Sequence, residues 1–139
     1  MNARAFVDSN ILVYAHDSGM GNRHEKAKQL VEDLWHRRSG VISTQVLQEF
    51  YVNVRRVSKN PLSPAEARRF VEDYLCWEVI INDGDSILGA LDLERRFGIN
   101  FWDCLIVHAA NHSGAETLYT EDLNHGQVYG NVEVTNPFV

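Results

Sequence analysis

Apolar positions along this chain fall into short blocks and helical stripes, and the two alternate. Ala5-Phe6-Val7 is an apolar run that stops at Asp8 and reads as a strand. Ser9 then caps a short helix through Ile11-Leu12-Val13-Tyr14. From His24 to Arg37, the residues Ala27, Leu30, Val31, Leu34 and Trp35 recur at three- and four-residue steps, which predicts an amphipathic helix ended by Gly40. Val41-Ile42-Ser43 predicts a second strand. Thr44 caps a helix to about Val57, with Val46, Phe50, Val54 and Val57 on one stripe. Pro61 and Pro64 mark a loop over 59–64, too short to be a domain linker. Ser63-Pro64-Ala65-Glu66 has the form of a capping box with proline at the first helical position, and its helix runs to about Leu75.

The alternation continues. Glu78-Val79-Ile80-Ile81 predicts a strand, and Asp83 or Asp85 starts a helix that stops at Gly98. Asn100 starts another, which stops at Gly114. Thr117-Leu118-Tyr119-Thr120 and Val132-Glu133-Val134 complete the strands. Residues 1–139 are expected to form one α/β domain around a mostly parallel sheet of four to five strands. In such sheets ligands bind beyond the carboxyl ends of the strands.

Composition narrows the classes. No run of about 18 apolar residues is present, which argues against a membrane span. The segment from Met1 to Asp8 lacks the apolar core of a secretory leader. Cys76 and Cys104 are too few for a disulfide framework and sit among apolar neighbours, so they read as reduced core thiols of a cytoplasmic protein. The net charge is -6, from 19 acidic and 13 basic residues, which argues against nucleic-acid binding by bulk electrostatics. That argument weakens if several carboxylates surround a cation.

Four carboxylates invite that reading. Asp8 and Asp122 each follow a predicted strand, at the sheet edge where ligands bind. Each also has a plain alternative, as a helix cap or a turn residue. Glu121 competes with Asp122 for the same place. Glu49 flanks the apolar stripe of its helix, about 60° from Val46, where a surface glutamate is equally at home. Asp103 stands three residues after Asn100, as in a capping pair, yet it projects between Val107 and Ala110 toward the interior. Carboxylates gathered at one edge repel each other, and a hard divalent cation relieves that repulsion. Oxygen-only ligation suits Mg²⁺ or Mn²⁺ rather than Zn²⁺. Metal-dependent phosphodiester hydrolysis is the chemistry that fits.

The segments Phe6-Val7-Asp8-Ser9-Asn10-Ile11-Leu12, Gln48-Glu49-Phe50, Phe101-Trp102-Asp103-Cys104-Leu105-Ile106 and Tyr119-Thr120-Glu121-Asp122-Leu123-Asn124-His125-Gly126, in this order, resemble the PIN-domain ribonucleases, and among them the VapC-like toxins of toxin–antitoxin pairs. The resemblance implies a three-layer α/β/α sandwich with the acids in one pocket. It implies that Asp8 and Asp103 are the principal metal ligands, that Asp122 assists directly or through water, and that Glu49 holds a second metal or orients the attacking water. Ser9, Asn10 and Thr120 match polar positions that support the carboxylates. It further implies a Mg²⁺- or Mn²⁺-dependent endoribonuclease, an RNA substrate, a cognate antitoxin that offers an arginine to the acidic pocket, and a homodimer.

Other residues carry weaker signals. Arg55, Arg56 and Lys59 form the clearest basic run; Arg55 and Arg56 could track an RNA backbone or simply complement a helix end. His125, next to the Asp122 loop, could touch RNA phosphate. His108 and His112 have zinc-binding spacing but no third ligand nearby, and His16 and His24 read as local hydrogen-bonders. Trp102 could stack on a base, but beside Phe101 it reads as core. No G-x-x-x-x-G-K motif exists, which excludes a P-loop nucleotidase. Two alternatives stand beside the nuclease: a non-catalytic PIN-like module that binds RNA or protein, and a receiver-like domain with Asp8 as phosphoryl acceptor, for which no suitably placed lysine is found.

Overall fold

A computed structural model describes residues 3–56 and 58–139. Met1, Asn2 and Val57, the last of which was placed on the third helix stripe, lie outside the described residues. Strands β1 (Ala5–Val7), β2 (Gly40–Ser43), β3 (Glu78–Ile80), β4 (Thr117–Tyr119), β5 (Val128–Tyr129) and β6 (Val132–Thr135) form one sheet in the order β3-β2-β1-β4-β6-β5. Every pairing is parallel except β5 with β6. The helices are α1 (Ser9–Ala15), α2 (Asn22–Arg37), α3 (Thr44–Arg56), α4 (Pro64–Tyr74), α5 (Gly84–Phe97) and α6 (Phe101–Ser113). None is long and apolar enough among the described residues to cross a membrane.

The sheet has six strands, where sequence predicts four to five. The addition is β5, two residues reached from a polar loop, too short to show an alternating pattern. It closes a hairpin through Gly130, whose φ of 63° suits glycine. Asn111 on α6 braces that turn: its Nδ2 donates to the Tyr129 carbonyl at 3.0 Å, and its Oδ1 accepts from Asn131 N at 3.0 Å.

β1 lies at the centre because Ala5, Phe6 and Val7 are all buried. Adjacent strand residues face opposite sides, so both faces of the sheet are covered. Helix α1 packs with both α2 and α3, α3 packs with α4, and α5 packs with α6. Phe6, Ile11, Leu12, Ile42, Phe50 and Leu118 are sealed in the core between these layers.

The caps follow sequence chemistry with two shifts. Asp8, rather than Ser9, caps α1, accepting from Ser9 N. Ser43, rather than Thr44, accepts from Val46 N at the start of α3. The Ser63–Glu66 box and the Asp83 and Asn100 caps form as the sequence predicts. The 59–64 loop is tied down by Asp17, whose buried carboxylate accepts from the backbone N–H groups of Gly19, Lys59 and Asn60. Cys104 is buried, but Cys76 is exposed and not a core thiol. Trp102 is also mostly exposed, at 64%, and not part of the core.

His16 sits at the edge of an aromatic cluster, with Phe50, Phe70 and Tyr74 around its ring and its Nε2 at 2.7 Å from the Tyr74 hydroxyl. Burial, with a smaller push from His24, lowers its pKa to about 4 against a small opposing pull from Asp73. The unfolded chain takes up this proton near pH 6.5 and the folded chain only near 4, so the unfolded state binds more protons in between. Acidification from pH 6.5 toward 4 therefore removes up to about 3 kcal/mol of stability through this group. Urea midpoints across that window should show this loss in the wild-type chain relative to His16→Phe; equal pH slopes in the two proteins would refute it.

Candidate active site

The sheet register decides which side chains meet. Val7 pairs with Tyr119, so Asp8 and Thr120, the next residues of neighbouring parallel strands, emerge side by side at the carboxyl edge. Asp8 N donates to the Tyr119 carbonyl at 3.0 Å and keeps the strands together to their ends. The Thr120 hydroxyl donates to Asp8 Oδ2 at 2.8 Å, while Ser9 N donates to Asp8 Oδ1 at 2.7 Å. Both groups are nearly sealed from water, Asp8 at 5% exposure and Thr120 at 0%.

From this pair the network runs two ways. Thr120 Oγ1 accepts from Asp122 N at 3.1 Å and from Asn10 Nδ2 at 3.4 Å, and the same Asn10 amide donates to Asp122 Oδ2 at 3.0 Å. In the other direction, Ser9 Oγ donates to Glu49 Oε1 at 3.0 Å. Gln45, one turn before Glu49 on α3, donates to Glu49 Oε2 at 3.4 Å and to the Trp102 carbonyl at 3.3 Å. It therefore links α3 to the first turn of α6, where Asp103 stands. Asn100 holds Asp103 from both sides, accepting from its backbone N–H at 2.9 Å and donating to Oδ2 at 2.7 Å.

Burial and the same two charges, those of Glu49 and Asp122, raise both Asp8 and Asp103. Burial pushes the Asp8 carboxyl up to about 7; the hydrogen bonds from Thr120 and Ser9 oppose this, and the charges of Asp122 and Glu49 add to it. Asp103 is raised as well, by partial burial and by the same two charges, against the bond from Asn100. Asp103 and Asp122 line one open cleft of about 240 Å³ with Asn100 and Tyr129. Asp8 is the buried member and Asp122 the exposed one, with Glu49 and Asp103 between.

Glu121 is directed elsewhere. It accepts from the Tyr14 hydroxyl and pairs with Arg23 Nε at 3.1 Å, while Arg23 also lies over the Tyr14 and Phe138 rings. The structure thus brings Asp122 into the acidic neighbourhood and ties Glu121 to α1 and α2. Arg55 stacks on Tyr51 and donates to its hydroxyl, and Arg56 is exposed at the end of α3; neither pairs with the acids among the described residues. His125 is exposed on the Asp122 loop, its Nδ1 accepting from Asn136 N at 3.0 Å. His108 and His112 stack on each other, with ring centroids 6.1 Å apart. Sequence reasoning missed Gln45, although its four-residue spacing from Glu49 was a visible signal.

The donors gathered here are oxygens, from carboxylates, hydroxyls and amides. Asn10 Oδ1, next to this network, is buried without a partner, as is Gln45 Oε1. Among the described residues no three acid, imidazole or thiol side chains converge on one point at ligand distance. By donor chemistry alone, an all-oxygen set fits a hard divalent cation such as Mg²⁺ or Mn²⁺.

The fold has known counterparts. The chain is similar in structure to a toxin–antitoxin complex from Klebsiella pneumoniae, with a TM-score of 0.70 and 20% identity over 96% of this chain and 97% of that one. It is similar to VapC20 of Mycobacterium tuberculosis, a toxin that cleaves the sarcin–ricin loop, with a TM-score of 0.66 and 19% identity over 85% and 91%. It is also similar to VapBC2 of Rickettsia felis bound to a promoter DNA fragment, with a TM-score of 0.66 and 23% identity over 95% and 97%. Comparison with curated proteins finds no match. The PIN domain family model matches residues 5–131, nearly the whole of the described fold, and the chain belongs to that family.

Proposed function

We propose that this protein is a Mg²⁺- or Mn²⁺-dependent endoribonuclease, the toxin of a toxin–antitoxin pair, working in the cytoplasm. The observation that carries the reading is the hydrogen-bonded network that joins Asp8 to Glu49 through Ser9 and to Asp122 through Thr120 and Asn10 at the carboxyl edge of a parallel sheet, with Asp103 raised by burial and by the same two charges that act on Asp8. Solved structures of similar fold include a toxin that cleaves the sarcin–ricin loop and a toxin–antitoxin complex, which supports RNA as substrate and an antitoxin as partner.

Asp8 and Asp103 would hold the cation, with Asp122 assisting directly or through water. When bound, the cation neutralises charge building on the phosphodiester and makes a water more acidic. The chain's own contribution is orientation. Thr120 and the Ser9 N–H fix both oxygens of Asp8. Ser9 Oγ and Gln45 fix Glu49, leaving it to accept a proton from the attacking water. Asn10 positions Asp122. An antitoxin guanidinium would compete with the cation for the same carboxylates.

The homodimer is assigned to α5. Ile87, Leu88 and Leu91 stand 49%, 61% and 45% exposed on that helix, with Ile81 at 71% just before it and Trp102 at 64%. An apolar stripe of this kind is self-complementary across a two-fold axis.

Three outcomes are expected. Purified protein cleaves single-stranded RNA with Mg²⁺ or Mn²⁺ and stops with EDTA, while Asp8→Asn and Asp103→Asn each lower the rate by about 10²-fold or more with unchanged circular dichroism. Undiminished cleavage by both variants, or binding of RNA without turnover, would remove the hydrolase reading. Next, Asp8→Asn deletes a buried charge. Without divalent cation at pH 8 it should melt about 3–8 °C above the wild type. The gap should narrow toward pH 5, because the folded carboxyl, raised to about 7, is then protonated. Mg²⁺ should raise the melting temperature of the wild type only. Finally, sedimentation equilibrium should give a dimer that Leu88→Glu converts to monomer; a monomeric wild type would count against the α5 interface.

A further inference from the structure

Opposite the acids, at the amino-terminal ends of β1, β2 and β3, a cleft of about 560 Å³ opens between the last turn of α2 and residues 76–78. That volume lies within the range of small-molecule sites, about 300–1,000 Å³. Its walls combine two kinds of group. Trp35 and Trp77 form an aromatic corner, with ring centroids 5.6 Å apart and planes inclined at 60°. Trp77 rests directly on the strand backbone because Gly40 has no side chain; a Cβ there would overlap the indole. Arg4 and Arg38 bring two guanidiniums against the single carboxylate of Glu78, so the sign of charge here opposes the net -6 of the chain. Between them Ser39 is 3% exposed.

Arg38 is the telling residue. It closes α2 in the left-handed region, at φ 54°, and is the one non-glycine with positive φ among the described residues. The corresponding caps of α5 and α6 are Gly98 and Gly114. Glycine is the favoured residue there, because a Cβ is disfavoured in this conformation. Backbone bonds from Arg38 N to the Trp35 carbonyl and from Ser39 N to the Leu34 carbonyl, both 3.2 Å, hold this cap, while the Arg38 side chain is exposed on the cleft wall and makes no ion pair among the described residues.

We propose that this cleft binds a planar aromatic anion of the nucleoside monophosphate class, with its base in the Trp35–Trp77 corner and its phosphate on Arg38. Flat indole faces stack on bases of any sequence. A guanidinium fork recognises phosphate by paired hydrogen bonds. This site is separate from the acidic edge and does not rest on the nuclease reading.

The test uses the full chain carrying Trp102→Phe, so that tryptophan emission comes from the cleft alone, with EDTA present and adenosine 5′-monophosphate as probe. Cys76 lines the cleft and is exposed, whereas Cys104 is buried, so alkylation followed by intact mass gives a second readout. Adenosine monophosphate should quench the emission saturably and slow Cys76 alkylation, and adenosine or inorganic phosphate alone should do so more weakly. Arg38→Gly should weaken binding by about tenfold or more while raising the melting temperature, since glycine suits the left-handed cap. A purely structural Arg38 would lower stability when replaced and leave binding alone. The proposal is overturned by the absence of saturable quenching to about 10 mM, by equal affinity in Arg38→Gly, or by binding that disappears in Asp8→Asn.

Discussion

The pairing of Asp8 with Thr120 is the contact on which the acidic edge is built. It is dictated by register: β1 and β4 run parallel with Val7 opposite Tyr119, so the next residue of each strand must meet its neighbour. A slip of one residue would turn the Asp8 side chain to the other face of the sheet. The strands are only three residues long, yet their apolar side chains are buried in the centre of the sheet, which fixes the register firmly. Core packing thus does more than hold the fold. It forces a carboxylate into a nearly dry position beside two other charges, a position that opposes folding at neutral pH.

The polar groups around the acids explain how the edge tolerates this. Ser9 and Thr120 hydroxyls, the Asn10 and Gln45 amides and backbone N–H groups all turn donors toward carboxylate oxygens. Their acceptor atoms are left over. Asn10 Oδ1 and Gln45 Oε1 are buried with no donor in reach. Buried polar atoms are ordinarily satisfied, so these two bare acceptors are the consequence of turning the amide donors toward the carboxylates.

Much of this was legible in the sequence because it depended on local chemistry. The apolar run ending at Asp8 and the strand ending at Thr120 placed two acids at one edge once a parallel sheet was expected. The Asn100 and Asp83 caps and the Ser63 capping box were written in residue types at fixed offsets. Long-range choices were not legible. Glu121 and Asp122 are adjacent and chemically alike; Tyr14 and Arg23, distant in sequence, claim Glu121. Strand β5 has two residues and no periodicity, and its turn depends on Asn111 of another element. Trp102 reads as core because Phe101 is beside it, but neighbours in a helix face different ways, and Phe101 packs against Cys104 and Leu105 while Trp102 turns to solvent.

The α/β architecture also orders charge along the molecule. Helices that follow parallel strands present their N-termini near the strands' carboxyl ends, and an N-terminus favours negative charge. Asp8 caps α1 and Asp103 lies in the first turn of α6, so both acids at the carboxyl edge are supported by helix ends as well as by hydrogen bonds. At the opposite edge α2 presents its C-terminus, which favours positive charge, and His36, Arg37 and Arg38 follow that rule. Dipole complementarity alone therefore explains a cation in this stretch. It does not explain Arg38 at the left-handed cap itself, because Arg37 and His36, one and two residues earlier, already sit in the last turn with ordinary helical backbone. The backbone bonds of the cap hold that conformation, and what the arginine adds is a cation on the wall of the cleft that carries the two indoles.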